Sequence, residues 1–153
     1  MVVEKVKKSP EEAFKWLKKS AEAGNAYGQF LTGLAYSRGD GTEKSVTEAE
    51  SWYKKAAAQN ELRALHNLGL IYLNTDSKEK QEEGLKLLEE AANQKSETSA
   101  FAAGSIYASG LKTISKDSSK ARKYLEISSD LGNAQASVNL GVLYANGDGV
   151  PKD

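Results

Sequence analysis

The stretch Ala26-Tyr27-Gly28-Gln29-Phe30-Leu31-Thr32-Gly33-Leu34-Ala35-Tyr36-Ser37-Arg38-Gly39-Asp40-Gly41 contains a fingerprint, Gly33-x-x-Tyr36, that decides the fold. It returns as Gly69–Tyr72, Gly104–Tyr107 and Gly141–Tyr144, at intervals of 36, 35 and 37 residues. A second series, Ala13, Ala49, Gly84 and Ala121, keeps the same intervals, including the same one-residue slips. Two markers that drift together in this way are hard to obtain by chance. A fixed period in this range is the mark of a solenoid, in which each unit buries its apolar face only by stacking on the next. Such folds generally work by presenting a surface.

Each unit reads as two helices. The first, type A, is expected over about 26–38, 62–74, 97–109 and 134–146. Its recurring small or apolar residues fall three to five positions apart, which is helical spacing. Glycine inside a helix costs roughly 1 kcal/mol against alanine. Gly33, Gly69, Gly104 and Gly141, held at one phase, therefore predict close approach of a neighbouring helix, with the tyrosine three residues on covering the contact. The second helix, type B, is expected over about 10–23, 47–59, 80–93 and 118–131. Ala49, Trp52, Tyr53, Ala56 and Ala57 form its apolar stripe in one copy, and Ala13, Trp16, Leu17 and Ala21 in another. Lysine and glutamate fill the opposite, solvated face.

The punctuation agrees with this division. Ser9-Pro10-Glu11-Glu12 places a capping serine, a proline at the first helical position and a glutamate at the third. Ser45, Asp117 and Asp153 occupy the same phase as Ser9. Gly24-Asn25 and Gly132-Asn133 end type-B helices with residues that tolerate positive φ. Gly39-Asp40-Gly41 and Gly147-Asp148-Gly149 make the turn from type A to type B. The second unit has Asn74-Thr75-Asp76-Ser77 there instead, and the third carries an extra residue within Leu111–Lys116. The last type-A helix lacks the type-B partner that would follow Asp153. This predicts a piece of a longer array, with an end helix free to fray or to pair with another molecule.

Composition narrows the function. Lys plus Arg number 21 and Asp plus Glu 21, a formal net charge of zero. That balance is unlike a nucleic-acid surface, which needs a dense positive stripe, and it opposes an electrostatic membrane anchor. No apolar run approaches the ~20 residues of a membrane span. No signal-peptide core follows Met1, and with no cysteine there is no disulfide framework; a reducing, cytoplasmic compartment fits best.

The residues Ala26-x-Gly28-Gln29-x-x-x-Gly33-x-x-Tyr36-x-x-Gly39-x-Gly41 resemble the SEL-one-like repeat, a relative of the tetratricopeptide repeat. So do Ala134-x-Ala136-x-x-x-Leu140-Gly141-x-x-Tyr144-x-x-Gly147-x-Gly149-Val150-Pro151-Lys152-Asp153 and, for the second helix, Ala49-x-x-Trp52-Tyr53-Lys54-Lys55-Ala56-Ala57. The resemblance covers about residues 6–153. Thr32 departs from it, standing where the pattern prefers leucine. What it implies is an all-α, right-handed α-solenoid of antiparallel helix pairs, about eight helices in about four repeats of 36 residues, as a single array over 1–153. It also implies an adaptor that holds other proteins in complexes, with no shared catalytic residues and no cofactor.

The sequence carries few signs of catalytic or metal chemistry. His66 is the single histidine, without a second strong ligand at metal spacing. The Gly-Asp-Gly turns lack the alternating acidic ligands of a calcium loop, and no Gly-Lys-Ser/Thr follows Gly39 to make a phosphate loop. Ser51-x-x-Lys54 and Ser77-x-x-Lys80 match one element of the penicillin-binding serine hydrolases. With 16 serines and 18 lysines in 153 residues, about two such pairs arise by chance, and the companion motifs are absent.

The surface expected to bind is the wall of type-A helices, by analogy with tetratricopeptide arrays. Counting Ala26 as position one, positions 2, 5, 6, 9, 12 and 13 face a concave groove. They supply Tyr27, Phe30 and Arg38, then Arg63, His66, Asn67 and Asn74, then Phe101, and finally Asn139 and Asn146. Aromatics beside arginine and amides suit an extended peptide or a helix of another protein, while Phe30 and Phe101 equally suit packing between repeats and the polar members ordinary solvation. The competing expectation is a structural segment without a groove of its own, self-associating end to end through its open C-terminal helix. Nucleic acid and direct membrane insertion are not expected.

Overall fold

The computed structural model describes residues 5–148. Among the described residues eight helices follow one another: α1 (Pro10–Glu22), α2 (Ala26–Arg38), α3 (Val46–Ala58), α4 (Leu62–Leu73), α5 (Lys78–Asn93), α6 (Glu97–Ser109), α7 (Ser118–Asp130) and α8 (Ala134–Asn146). Among the described residues no strand forms, and one isolated β-bridge joins Leu111 to Ile114. The chain divides into two compact units, Met1–Ala64 and Leu65–Asp153. In the first, α1 packs on α2 and α2 on α3; in the second, α5 packs on α6, α6 on α7 and α7 on α8.

Local chemistry sets the helix ends. Ser9, Ser45, Ser77 and Asp117 each cap a type-B helix by accepting a backbone N–H from its first turn. Asn25, Ser96 and Asn133 do the same for type-A helices. Such caps contribute about 1 kcal/mol each. The cap at Ser77 starts α5 at Lys78, ahead of the position near 80 expected from the pattern. The capping residue expected at Asp153 and the turn glycine Gly149 lie outside the described residues.

The turn from type B to type A uses a left-handed residue at the same phase every time. Gly24 (φ 92°) and Gly132 (φ 104°) were expected there, and Asn60 (φ 61°) and Lys95 (φ 67°) adopt the same region without being glycine. Geometry therefore outranks residue type at this point of the repeat.

The repeated glycines admit the neighbouring type-B helix. A methyl group at Gly33 would lie 2.7 Å from the Tyr53 ring, and one at Gly104 would lie 2.7 Å from Leu125 Cγ. At Gly69 it would lie 2.9 Å from the carbonyl oxygen of Gly84, so here two backbones touch directly. Gly141 departs from the expectation: nothing among the described residues comes within 4 Å of the position a methyl would take. Gly41 has a different reason. Its φ is 72°, and a methyl there would fall 2.0 Å from the Pro10 carbonyl oxygen, so the turn rests on the first turn of α1.

The turn without glycines is held by side chains. Thr75 Oγ1 donates to the Tyr72 carbonyl at 2.8 Å. The buried amide of Gln81 donates from Nε2 to the Thr75 carbonyl at 2.5 Å and accepts at Oε1 from the Thr113 hydroxyl at 2.5 Å. Gln81 thus joins the Asn74–Ser77 turn to the Leu111–Ile114 loop, where the extra residue of the third repeat is accommodated.

Candidate functional site

In the first unit, Tyr27, Phe30 and Arg63 come together. Asn25 caps α2, which fixes Tyr27 in the first turn with its ring about half exposed (48%). Phe30, one turn on, is buried: its ring stacks on Tyr27 at 6.3 Å between centroids and tilts against Tyr53 at 6.1 Å. Arg63 sits in the first turn of α4 with its guanidinium over both rings, 4.6 Å from the Tyr27 centroid and 5.0 Å from that of Phe30. Nε and Nη2 donate to the two oxygens of Glu61 at 2.8 and 3.2 Å. That paired hydrogen bond holds the Glu61 carboxyl below its ordinary range and raises Arg63 in turn. A planar cation is thereby fixed on an aromatic face before any ligand arrives. Arg38 does not join this group; it is exposed at the last turn of α2, where a cation complements the helix dipole.

In the second unit, one further group forms around His66. Its Nδ1 lies 2.9 Å from Ser99 Oγ, and Ser96 Oγ donates to the same oxygen at 3.0 Å. The Ser99 hydroxyl thus bridges the Ser96 hydroxyl and the imidazole. Burial lowers the His66 pKa. The pair superficially matches a nucleophile and its base, but Ser99 is wholly buried, out of reach of a substrate carbonyl.

The other expected residues stand apart. Asn67 is half-buried on α4, and Asn74 is exposed just beyond that helix. Phe101 is partly buried against the core of α5–α8. Asn139 accepts from Gln135 Nε2 at 3.1 Å, and Asn146 is exposed at the end of α8. Spacing arguments did not single out Glu61 and Ser99, the partners of Arg63 and His66. Glu61, two residues from Arg63 at a helix entrance, is the one of these a sequence could have signalled. Among the described residues no group of acidic, histidine or cysteine side chains could hold a metal ion, and no helix is long and apolar enough to cross a membrane.

The family model of the Sel1 repeat matches residues 4–25, 26–61, 62–96, 98–133 and 134–153. The chain belongs to the Sel1 repeat family. The three middle segments each hold a type-A and a type-B helix (α2–α3, α4–α5, α6–α7), whereas the first holds α1 and the last α8. Eight helices and five Sel1 segments are thus one register read from two starting points. The fold is accordingly an all-α solenoid class, and solved structures agree. A protective antigen present in uropathogenic Escherichia coli strains, displaying an SLR fold, aligns with a TM-score of 0.84 at 34% identity, over 95% of this chain and 31% of that one. A Sel1 repeat protein from Oxalobacter formigenes aligns at 0.83 and 32% identity, over 97% of this chain and 61% of that one. This chain therefore spans less than two thirds of either. Comparison with curated proteins gives no match. Sel1 repeat proteins are generally protein-interaction scaffolds, typically without catalysis.

Proposed function

We propose that this chain is a protein-interaction scaffold that holds an extended peptide or a helix of its partner on the concave wall of its type-A helices. The observation that carries this reading is the Arg63 guanidinium seated over Tyr27 and Phe30, with half of Tyr27 open to solvent. Tyrosine and arginine are among the side chains most enriched as interface anchors, although a free arginine loses much rotamer entropy when it is ordered. Glu61 reduces that cost by holding Arg63 in place. The edge of the guanidinium left free by Glu61 suits a backbone carbonyl, and the Tyr27 ring suits an apolar side chain beside it. A phage-displayed peptide library panned on the chain supplies the test. Selected peptides should lose at least ~10-fold in affinity for the double variant Tyr27→Ala/Arg63→Ala, with helicity unchanged. Undiminished binding would remove the site from this face.

A second reading rests on α8. Val138 and Val142 are exposed and no described residue comes within 4 Å of a methyl placed at Gly141, while on α1 Ala13 and Trp16 are exposed although Ala49 and Trp52, at the same phases, are buried. The occupant that fits α8 is α1 of a second copy, stacked end to end. Sedimentation velocity at rising concentration would show the assembly growing and Val142→Glu stopping it. A sedimentation coefficient independent of concentration would count against it.

A further inference from the structure

Away from the type-A wall, the second unit carries a cleft of about 520 Å³ between α5, α7 and the loop before α7. Leu85, Tyr107 and Ile114 form its floor, and Lys86, Lys116 and Lys120 stand on its rim. The carboxylates of the cleft are already engaged. Glu89 accepts the Tyr107 hydroxyl, Asp117 accepts the Lys120 backbone N–H at 3.0 Å as the cap of α7, and Glu82 pairs with Lys78 at 3.9 Å. The rim lysines are not so matched. Lys120 Nζ lies over the Tyr107 ring at 5.2 Å, and Lys86 and Lys116 are exposed, with no ion pair among the described residues. Glu89 and Asp117 are thus engaged within the fold and Glu82 in an exposed pair with Lys78, which leaves Lys86, Lys116 and Lys120 without a carboxylate partner among the described residues.

We propose that this cleft binds an acidic segment of a partner protein, its carboxylates on Lys86, Lys116 and Lys120 and an apolar side chain between them over Leu85 and Ile114. Charge complementarity selects the occupant. Lysine is a mobile point charge rather than a planar fork, so it suits carboxylates whose spacing is not fixed. Three lysines on a chain of zero net charge are too few to track a phosphate backbone. Exposed pairs of this kind are individually weak and are screened by salt, so the binding is of micromolar to millimolar strength and fades as salt rises. This site is independent of the Tyr27–Arg63 reading, since it shares no residue with it.

The experiment is an NMR titration of the isotope-labelled chain with the acetylated peptide Glu-Asp-Leu-Glu-Asp. Amide shifts should be confined to residues 82–89 and 113–120. The triple variant Lys86→Glu/Lys116→Glu/Lys120→Glu should weaken binding at least ~10-fold with the helical spectrum retained. An equal charge change at Lys5, Lys7 and Lys8 should leave the affinity within about twofold, because those exposed lysines do not line the cleft. Equal losses in the two variants would mean that only net charge is sensed, and the site would fall. Shifts scattered over the surface, or the same cleft shifts from a thymidine oligonucleotide at equal or higher affinity, would overturn it as well.

Discussion

The pair α2–α3 and the helix α8 carry the same fingerprint in different surroundings. At Gly33 the ring of Tyr53 fills the space a side chain would need; at Gly141 no described residue enters that space. The tyrosines report the difference too: Tyr72 and Tyr107, in filled repeats, are 4% and 7% exposed, and Tyr144 is 53% exposed. The glycine is thus not required by its own helix, since α8 forms equally well around an uncovered one. It is required by the neighbour, and where no described neighbour sits the motif is a socket without its plug.

Breaking the filled pairs should cost most. Leu125→Ala empties the position beneath Gly104 and should cost about 2–5 kcal/mol, whereas Val142→Ala on the open face should stay within about 0.5 kcal/mol. Urea unfolding of both variants measures the contrast, and equal losses would erase it. Next comes Gly69→Ala, which pushes a methyl into the Gly84 carbonyl and should destabilise by about 1–3 kcal/mol. The same change at Gly141 should instead stabilise by up to ~1 kcal/mol, the gain in helix propensity. A covering helix supplied by a second copy would reverse the sign at Gly141, so the pair also tests self-association.

Thr32 sharpens the comparison from inside the closed pair. It is fully buried and its Oγ1 has no hydrogen-bond partner among the described residues, while the other repeats place Leu68, Ala103 and Leu140 at its phase. Thr32→Val keeps the shape and removes the unpaired hydroxyl, so it should raise stability by about 1 kcal/mol in thermal unfolding. Relief of the left-handed backbone is smaller still. Lys95→Gly should add roughly 0.5–1 kcal/mol, whereas Gly132→Ala, at the same phase, should lose a similar amount.

The smallest effect is that of His66. Its pKa is depressed in the folded chain by burial, so the unfolded chain takes up the proton first as pH falls. Stability is therefore complete above the ordinary histidine pKa near 6.5 and declines below it. His66→Asn should remove that part of the acid sensitivity, read as a flatter denaturation midpoint between pH 7 and 5.

The fold was legible because its signals are local and repeated. Ser9, Ser45 and Asp117 mark helix starts by a chemistry that acts over three residues, and the glycine and tyrosine of each repeat recur at one spacing. The substitute for the glycine turn at Asn74–Ser77 was not legible, since it depends on Gln81 and Thr113, which only the folded chain brings near. The positive φ of Lys95 was hidden for another reason: nothing in a lysine announces it, and only its phase against Gly24 and Gly132 does. On the candidate surface, a count along the helix placed Tyr27 and Arg63 on one face. The same count could not tell that Phe30 is covered, because its cover comes from Tyr53, on a different helix.

Gln81 deserves a last consequence. One carboxamide clasps two loops that are remote along the chain, so displacing that side chain releases both. In hydrogen exchange the amides around both loops should open as one cooperative event, a seam that makes the two repeats share a single lifetime.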